Sequence, residues 1–286
     1  MNRREFVRTT ALSAGILSLP PFASSALPSS RVKKASDEVI LGKTGLKVTR
    51  LAIGTGTSGW NGQSNQTRSL GIQGLASLLQ YAYDQGIRFW DSADQYGTHP
   101  HLREGLKYVP REKVVILTKT HASTREEMKA DLDRFRSEIG TDYIDIVLLH
   151  CMLDENWPAK KKGAMDYLSE AREKGIIKAH GVSCHTLKAL KTAAANDWVQ
   201  IDLARINPTG DNMDADVPTV IPILKKMKAD GKGIIGMKIF GGGSLTNRVD
   251  ECLRFILNQN YVDSFTIGVE SREQLQEILR KIPELS

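Results

Sequence analysis

From residue 38 onward the sequence repeats one unit, a short apolar strand followed by a longer amphipathic segment, and the number of repeats limits the folds open to the chain. After a leading hairpin, "EVILGKTGLKV" with its Thr-Gly turn, the strands read "RLAIGTG", "IRFWDSA", "KVVILTKT", "YIDIVLLH", "IIKAHGVS", "VQIDLARIN", "GIIGMKIFG" and "DSFTIGV". Helical patterns such as "GLASLLQYAYDQG" and "TREEMKADLDRFRSEIG" separate them, and Gly86, Gly140, Gly175 and Gly231 stand where a glycine ends a helix. Strands dense in Val, Ile and Leu alternating with helices predict a parallel sheet covered on both faces. Eight such units predict a (β/α)8 TIM barrel with an N-terminal β-hairpin, which needs about 250 residues of the 286 present. The doubly wound open sheet is the competing architecture. The least regular unit follows the second strand, where "DQYGTHPHLREGLKYVPRE" holds only a short helix.

The first thirty residues, "MNRREFVRTTALSAGILSLPPFASSALPSS", have a basic start, an apolar middle and a small-residue exit, the grammar of an export signal. Arg3 and Arg4, followed by Phe6 and Arg8, resemble the twin-arginine signal of bacteria, whose machinery passes folded proteins. The expected organisation is a signal peptide over 1–26, a linker over 27–37 and one barrel domain over 38–286, with the mature protein periplasmic or otherwise exported. The plainer alternative is a frayed basic terminus without a receptor. The apolar stretch is shorter than the roughly 20 residues of a stable membrane span. Removing residues 1–26 takes away three arginines and one glutamate, so the formal charge falls from +6 to +4. No stripe of Lys and Arg interleaved with aromatics suggests nucleic acid as a partner. Three cysteines without CxxC spacing, Cys151, Cys184 and Cys252, offer neither a disulfide framework nor a zinc ribbon.

A barrel carries its chemistry at the C-terminal ends of its strands. Here those ends hold Asp91, Lys119, His150, Ser183 and Asn207, with Tyr96 just beyond Asp91. A lysine ending an apolar strand is costly to bury without a carboxylate, and Asp91 on the neighbouring strand is the natural partner. A cation near a phenol favours phenolate, so the expected effect of Lys119 is to lower the pKa of Tyr96 toward neutrality. His150 adds a hydrogen-bond donor for whatever oxygen Tyr96 addresses. The set reads as a site that protonates a carbonyl oxygen, with Asp94 bracing the loop.

"WDSADQYG", "ILTKT" and "IVLLH", in this order, resemble three blocks of the aldo-keto reductase family, and "LGKTGLKVTRLAIGTG" and "EAREKGIIKAHGVS" are similar to its opening hairpin and fifth-strand segment. The resemblance covers about residues 38 to 278. It implies Asp91, Tyr96, Lys119 and His150 as the catalytic tetrad, with Tyr96 as proton donor and hydride supplied by a nicotinamide nucleotide. It also implies nucleotide contacts from Gly54, Thr55, Ser183, Cys184, Asn207, Met237, Lys238, Gly241, Gly268, Ser271 and Arg272. No metal is implied. The nucleotide expected from the family is NADP, with NAD as the alternative, and the substrate a small carbonyl or sugar-like molecule.

The nucleotide half departs from the family pattern. Cys184 stands where an asparagine usually follows Ser183, and Gln200 competes with Asn207 for the sixth-strand role. "GMKIFGGGS" lacks the usual stacking aromatic. NADP-selective members place basic residues after the last strand, whereas "GVESREQ" puts Glu270 before Ser271 and Arg272. Ser271 with Gln274 also reads as a capping box. The polar loops "TSGWNGQSNQTR" and "NPTGDNMDAD" suggest a hydrophilic substrate, with Trp60 a candidate pocket wall. The chain stops soon after the last helix, so the family's long C-terminal substrate loop is expected to be missing and the pocket open. Two other function classes compete: a metal-dependent hydrolase using His99 and His101 with Asp91, Asp94 and His150, and a nucleotide-binding barrel with little catalysis. Export adds a further expectation, a tightly held nucleotide or redox-neutral chemistry on one substrate.

Overall fold

The computed structural model describes residues 32–286, so the export-signal reading of residues 1–26 lies outside the described residues. The chain opens with β1 (Glu38–Ile40) and β2 (Lys47–Thr49), an antiparallel pair with Val39 opposite Val48. Gly45 closes the turn between them at φ +73°. Eight parallel strands then close into a barrel: β3 (Leu51–Gly54), β4 (Phe89–Asp91), β5 (Val115–Thr120), β6 (Ile144–Met152), β7 (Ile177–Cys184), β8 (Ile201–Arg205), β9 (Gly233–Met237) and β10 (Ser264–Gly268). Closure is made by β10, which pairs with β9 on one side and with β3 on the other, Thr266 opposite Ala52. The barrel and hairpin expected from the sequence are both present, and a closed sheet has no edge, which excludes the doubly wound alternative.

Helices follow the strands: α1 (Asn65–Asp84), α2 (His99–Gly105), α3 (Arg125–Ile139), α4 (Trp157–Lys160), α5 (Lys162–Glu173), α6 (Leu187–Ala195), α7 (Val217–Ala229), α8 (Val249–Leu257) and α9 (Arg272–Glu284). Side-chain caps fix several starts. The Ser64 hydroxyl accepts from the Thr67 N–H, and Thr124 accepts from Glu127 in a reciprocal capping box. α1 begins earlier than its apolar pattern suggests, because the Ser64 cap carries a polar first turn up to a break at Gly71.

Alternation along each strand divides the core in two. Inward residues such as Phe89, Leu117, Ile146, Leu148, Ile201 and Leu203 fill the barrel, and the hairpin's Leu41 and Val48 join them from below. Outward residues such as Trp90, Ile116 and Val147 pack against the helices. The hairpin's turn rests on the backbone leading into β9: the Lys43 N–H donates to the Gly231 carbonyl (2.7 Å), and a Cβ on Gly42 would fall 2.4 Å from that oxygen. The hairpin therefore closes the N-terminal end of the barrel. Among the described residues no helix is long and apolar enough to cross a membrane.

Candidate active site

The same alternation places the polar residues. Phe89 and Asp91 on β4, Leu117 and Lys119 on β5, and Ile146, Leu148 and His150 on β6 share the inward parity, so apolar layers give way to charge at the C-terminal end. There the Lys119 Nζ donates to Asp91 Oδ1 (2.5 Å) and to the Ser92 carbonyl (2.7 Å), and only 1% of the lysine side chain is exposed. The ammonium stands 4.8 Å from the centre of the Tyr96 ring, and that ring meets His150 edge-on at 5.8 Å. The four residues grouped from the sequence are thus brought together.

Their protonation follows from these neighbours. Burial alone would lower Lys119, but the attraction of Asp91 and Tyr96 overrides it and the net direction is up, so the lysine stays charged. For Tyr96 the balance differs from the sequence expectation. Burial raises its pKa more than Lys119 lowers it, and the phenol is held protonated above its ordinary range. Burial, followed by repulsion from Lys119 and from the imidazoles of His121 and His185, pushes His150 well below the usual histidine value and leaves it neutral. The site is a neutral phenol and a neutral imidazole beside a buried ammonium, an arrangement that can donate a proton to an oxygen and hold the charge developing on it.

Two glycines that sequence reasoning passed over set the Tyr96 ring. A Cβ at Gly56 would lie 2.2 Å from Cε2, and one at Gly59 would lie 2.3 Å from Cδ1. The repeated glycines of "GTGTSG" were the available signal. Asp94 braces the same loop, through two bonds received from Arg134 on α3 at 2.7 and 2.9 Å. Trp60 stands 73% exposed on the glycine-bearing loop, while Trp157 and Trp198 pack inside, Trp198 stacked on His180.

A cleft of about 390 Å³ leads from Asp91, Tyr96 and Lys119 across the barrel mouth toward α9. Of the residues expected to contact a nucleotide, Gly54, Met237, Lys238 and Gly268 line it. Gly268 needs its bare backbone, since a Cβ there would meet Thr57 Oγ1 at 2.1 Å. Lys238 projects over Gly242, its Nζ 3.8 Å from where a Cβ would stand, and no carboxylate among the described residues pairs with it. An unpaired cation above exposed glycine backbone suits a pyrophosphate, so the residues present fit a dinucleotide.

The other expected contacts do not line the cleft. Thr55 bonds the Asp91 carbonyl (3.0 Å) and Thr98 (2.9 Å), holding β3 to β4. The Ser183 hydroxyl accepts from the Cys151 N–H at 3.0 Å. Cys184 has the opposite parity on β7 and is buried in the outer core. The Asn207 side chain organises its own turn, donating to the Asp211 carbonyl (2.7 Å) and accepting from Gly210 (2.9 Å). Gly241 is buried under Leu245, its carbonyl held by Asn212. Ser271 caps α9 by accepting from the Gln274 N–H, but the reciprocal half of the expected capping box is not made, since the Gln274 side chain accepts from the Glu270 N–H at 2.8 Å; Arg272 lies over the Tyr81 ring at 5.3 Å. Glu270, Gln274 and Glu277 line the cleft instead.

The metal alternative finds a different fate for its histidines. His99 bonds Glu138 (2.8 Å) and Thr118 (2.7 Å), away from His150. Asp94, His99 and Glu138 do cluster, but Arg134 already donates to both carboxylates and supplies the cation. His101 is buried with Nδ1 unpartnered.

A closed (β/α)8 barrel with a Tyr, Lys, Asp and His at its C-terminal mouth beside a glycine-floored cleft defines a class of nucleotide-using barrel enzymes. The model of the Aldo/keto reductase family matches residues 50–251, more than half of the chain, and the chain belongs to that family, whose members are generally NAD(P)H-dependent carbonyl–alcohol oxidoreductases. The D-threo-aldose 1-dehydrogenase of a Pseudomonas species is 23% identical over 244 residues, 74% of this chain and 71% of its own length. Two further curated relatives are spanned over only 50% and 55% of their lengths. A solved aldo-keto reductase structure from Pseudomonas aeruginosa superposes with a TM-score of 0.74 at 21% identity, covering 89% of this chain and 98% of the other. The holo form of an aldo-keto reductase from Bacillus halodurans does so with a TM-score of 0.69 at 15% identity, over 86% and 90%.

Proposed function

We propose that the chain interconverts a carbonyl and an alcohol on a small polar, sugar-like substrate, with Tyr96 as proton donor and acceptor. The observation that carries this reading is the convergence of Asp91, Lys119, Tyr96 and His150 at one end of the cleft. Asp91 anchors Lys119, Lys119 orients and polarises the phenol, and Tyr96 and His150 address the carbonyl oxygen from two sides. A nicotinamide nucleotide, when bound, supplies or accepts hydride. Gly54, Met237, Lys238 and Gly268 would hold it, with Lys238 at the pyrophosphate. Trp60 gives an aromatic wall for a sugar face.

The family expectation of NADP is weakened by the side chains at the far end. Glu270 lines the cleft and accepts from Asn65 Nδ2 at 2.9 Å, while Arg272 faces Tyr81 and Arg68 donates to Asn65 Oδ1 at 2.6 Å. A carboxylate favours a ribose hydroxyl and repels a 2′-phosphate, so NAD is the better fit. The same reading includes export by the twin-arginine route, with a nucleotide captured in the cytoplasm and kept. It predicts that Arg3→Lys with Arg4→Lys leaves the precursor inside the cell.

The test is mass spectrometry of any nucleotide released by denaturing the desalted mature protein, together with carbonyl reduction by Tyr96→Phe. Released NAD with a Tyr96→Phe enzyme slowed at least about 100-fold, the scale of a general acid, supports the reading. Unchanged reduction by Tyr96→Phe overturns it.

A further inference from the structure

Strand β6 ends in an irregularity that the tetrad does not require. Its register with β7 shifts between Leu149 and Met152, and inside the shift Cys151 takes φ +63°, a left-handed conformation that a non-glycine residue keeps only when its surroundings hold it there. Ser183 holds it, accepting from the Cys151 N–H at 3.0 Å. The strained backbone presents the thiol to a partner: Cys151 Sγ lies 3.0 Å from His185 Nδ1, and the backbone N–H of His185 donates to the Met152 carbonyl at 2.8 Å, which holds the two chain segments together. The His185 ring stands 6.4 Å from His150, which is itself 5.8 Å from Tyr96. The thiol and imidazole therefore belong to the same barrel mouth as the phenol. Cys151 is partly exposed there, whereas Cys184 and Cys252 are buried.

We propose that Cys151 and His185 form a nucleophilic dyad that covalently captures small α,β-unsaturated carbonyl compounds entering the barrel mouth on the His150 side of Tyr96. The inference rests on the reading that Tyr96 and His150 hold a carbonyl oxygen, because an oxygen held there makes the β-carbon of a conjugated carbonyl electrophilic. Sγ bonds that carbon, the alkene π pair moves to give an enolate whose oxygen accepts from the Tyr96 hydroxyl, and the thiol proton passes to His185 Nδ1. That proton then returns to the α-carbon. The product is a thioether carrying the whole added molecule; nothing is oxidised and nothing leaves. Protonation states fix the starting point of the addition and do not pre-form a thiolate. Burial pushes the Cys151 thiol up, although Arg205 and Lys238 oppose it, and burial with the charges of Arg205 and Lys238 holds His185 at about 4. At neutral pH the pair is a protonated thiol beside a neutral imidazole, so the geometry carries the proposal, and the proton leaves only as sulfur bonds the β-carbon and the Tyr96 hydroxyl holds the enolate.

The experiment treats the full-length protein, without added nucleotide, with 2-butenal and follows intact mass and peptide mapping. The expected result is one addition, on Cys151, that forms about 100-fold more slowly in His185→Gln, the scale of a positioned general base. His185→Phe serves as a second variant should the first fail to fold. Equal rates with and without the imidazole, or addition spread over lysines and other cysteines, would overturn the proposal. Carbonyl reduction by Tyr96→Phe is measured on the same preparations. It reports on the proposed function however Cys151 reacts, and the His185 variants report on the dyad however reduction turns out.

Discussion

At the scale of single residues, Asp91 and Lys119 form a pair that neither partner survives alone. Both are buried, and removing one leaves the other an uncompensated charge, so Asp91→Ala should cost about 3–5 kcal/mol in a denaturant titration as well as activity. The raised pKa of Tyr96 sets the pH dependence of reduction. In the proposed reaction the phenol is the acid, its folded pKa lies above the ordinary value of about 10, and the rate should therefore stay flat through neutrality and fall only in strong alkali. His150, held well below its usual value, adds no limb near pH 7. An alkaline limb near pH 8 would instead vindicate the lowered phenol inferred from charge alone. Asp202 on β8 makes the opposite kind of prediction. It is fully buried with neither carboxylate oxygen partnered among the described residues, and burial foremost raises its pKa well above normal. The folded state keeps a proton that the unfolded chain releases above about 3.9, so this group's contribution is full in acid and lost as pH rises. The Tm difference between Asp202→Asn and the parent should grow in the variant's favour from about pH 4 to about pH 7.

At the scale of elements, the loop after β3 determines how Tyr96 is presented. Gly56→Ala places a methyl group 2.2 Å from the ring, and a displacement of the phenol by about 1 Å is expected to lower kcat about 100-fold with little change in the melting temperature. This loop also marks how far the sequence could be read. The strand ends were legible because inward parity and apolar density survive in the residues themselves, as in Leu117 followed by Lys119. Asp91, Lys119 and His150 were legible as a group because they lie on regular strands, and Tyr96 because it follows Asp91 closely in "WDSADQYG". The nucleotide contacts were less so, because they lie on loops where a side chain's direction depends on local hydrogen bonds. Asn207 turns to its own backbone, Arg272 to Tyr81, and nothing in their letters shows it. Net protonation was illegible for a related reason. Proximity of Lys119 to Tyr96 can be inferred from strand order, but the burial that outweighs it emerges only from packing.

At the scale of the whole molecule, buried neutral histidines set the acid limit. His180, stacked on Trp198 and 3% exposed, is held at about 3 by burial first and Arg172 second. The unfolded chain takes up this proton below about 6.5 while the folded one refuses it down to about 3, so between those values stability should fall by about 1.4 kcal/mol for each pH unit. His180→Phe keeps the stack, and denaturant midpoints measured on both sides of pH 6 should show a shallower acid decline. Geometry constrains kinetics as well. The hairpin covers the N-terminal end of the barrel with Leu41 and Val48, so both reactants of the proposed reaction approach from the C-terminal mouth. Two reactants that share one face of a barrel take turns there, and whichever lies deeper is the first in and the last out.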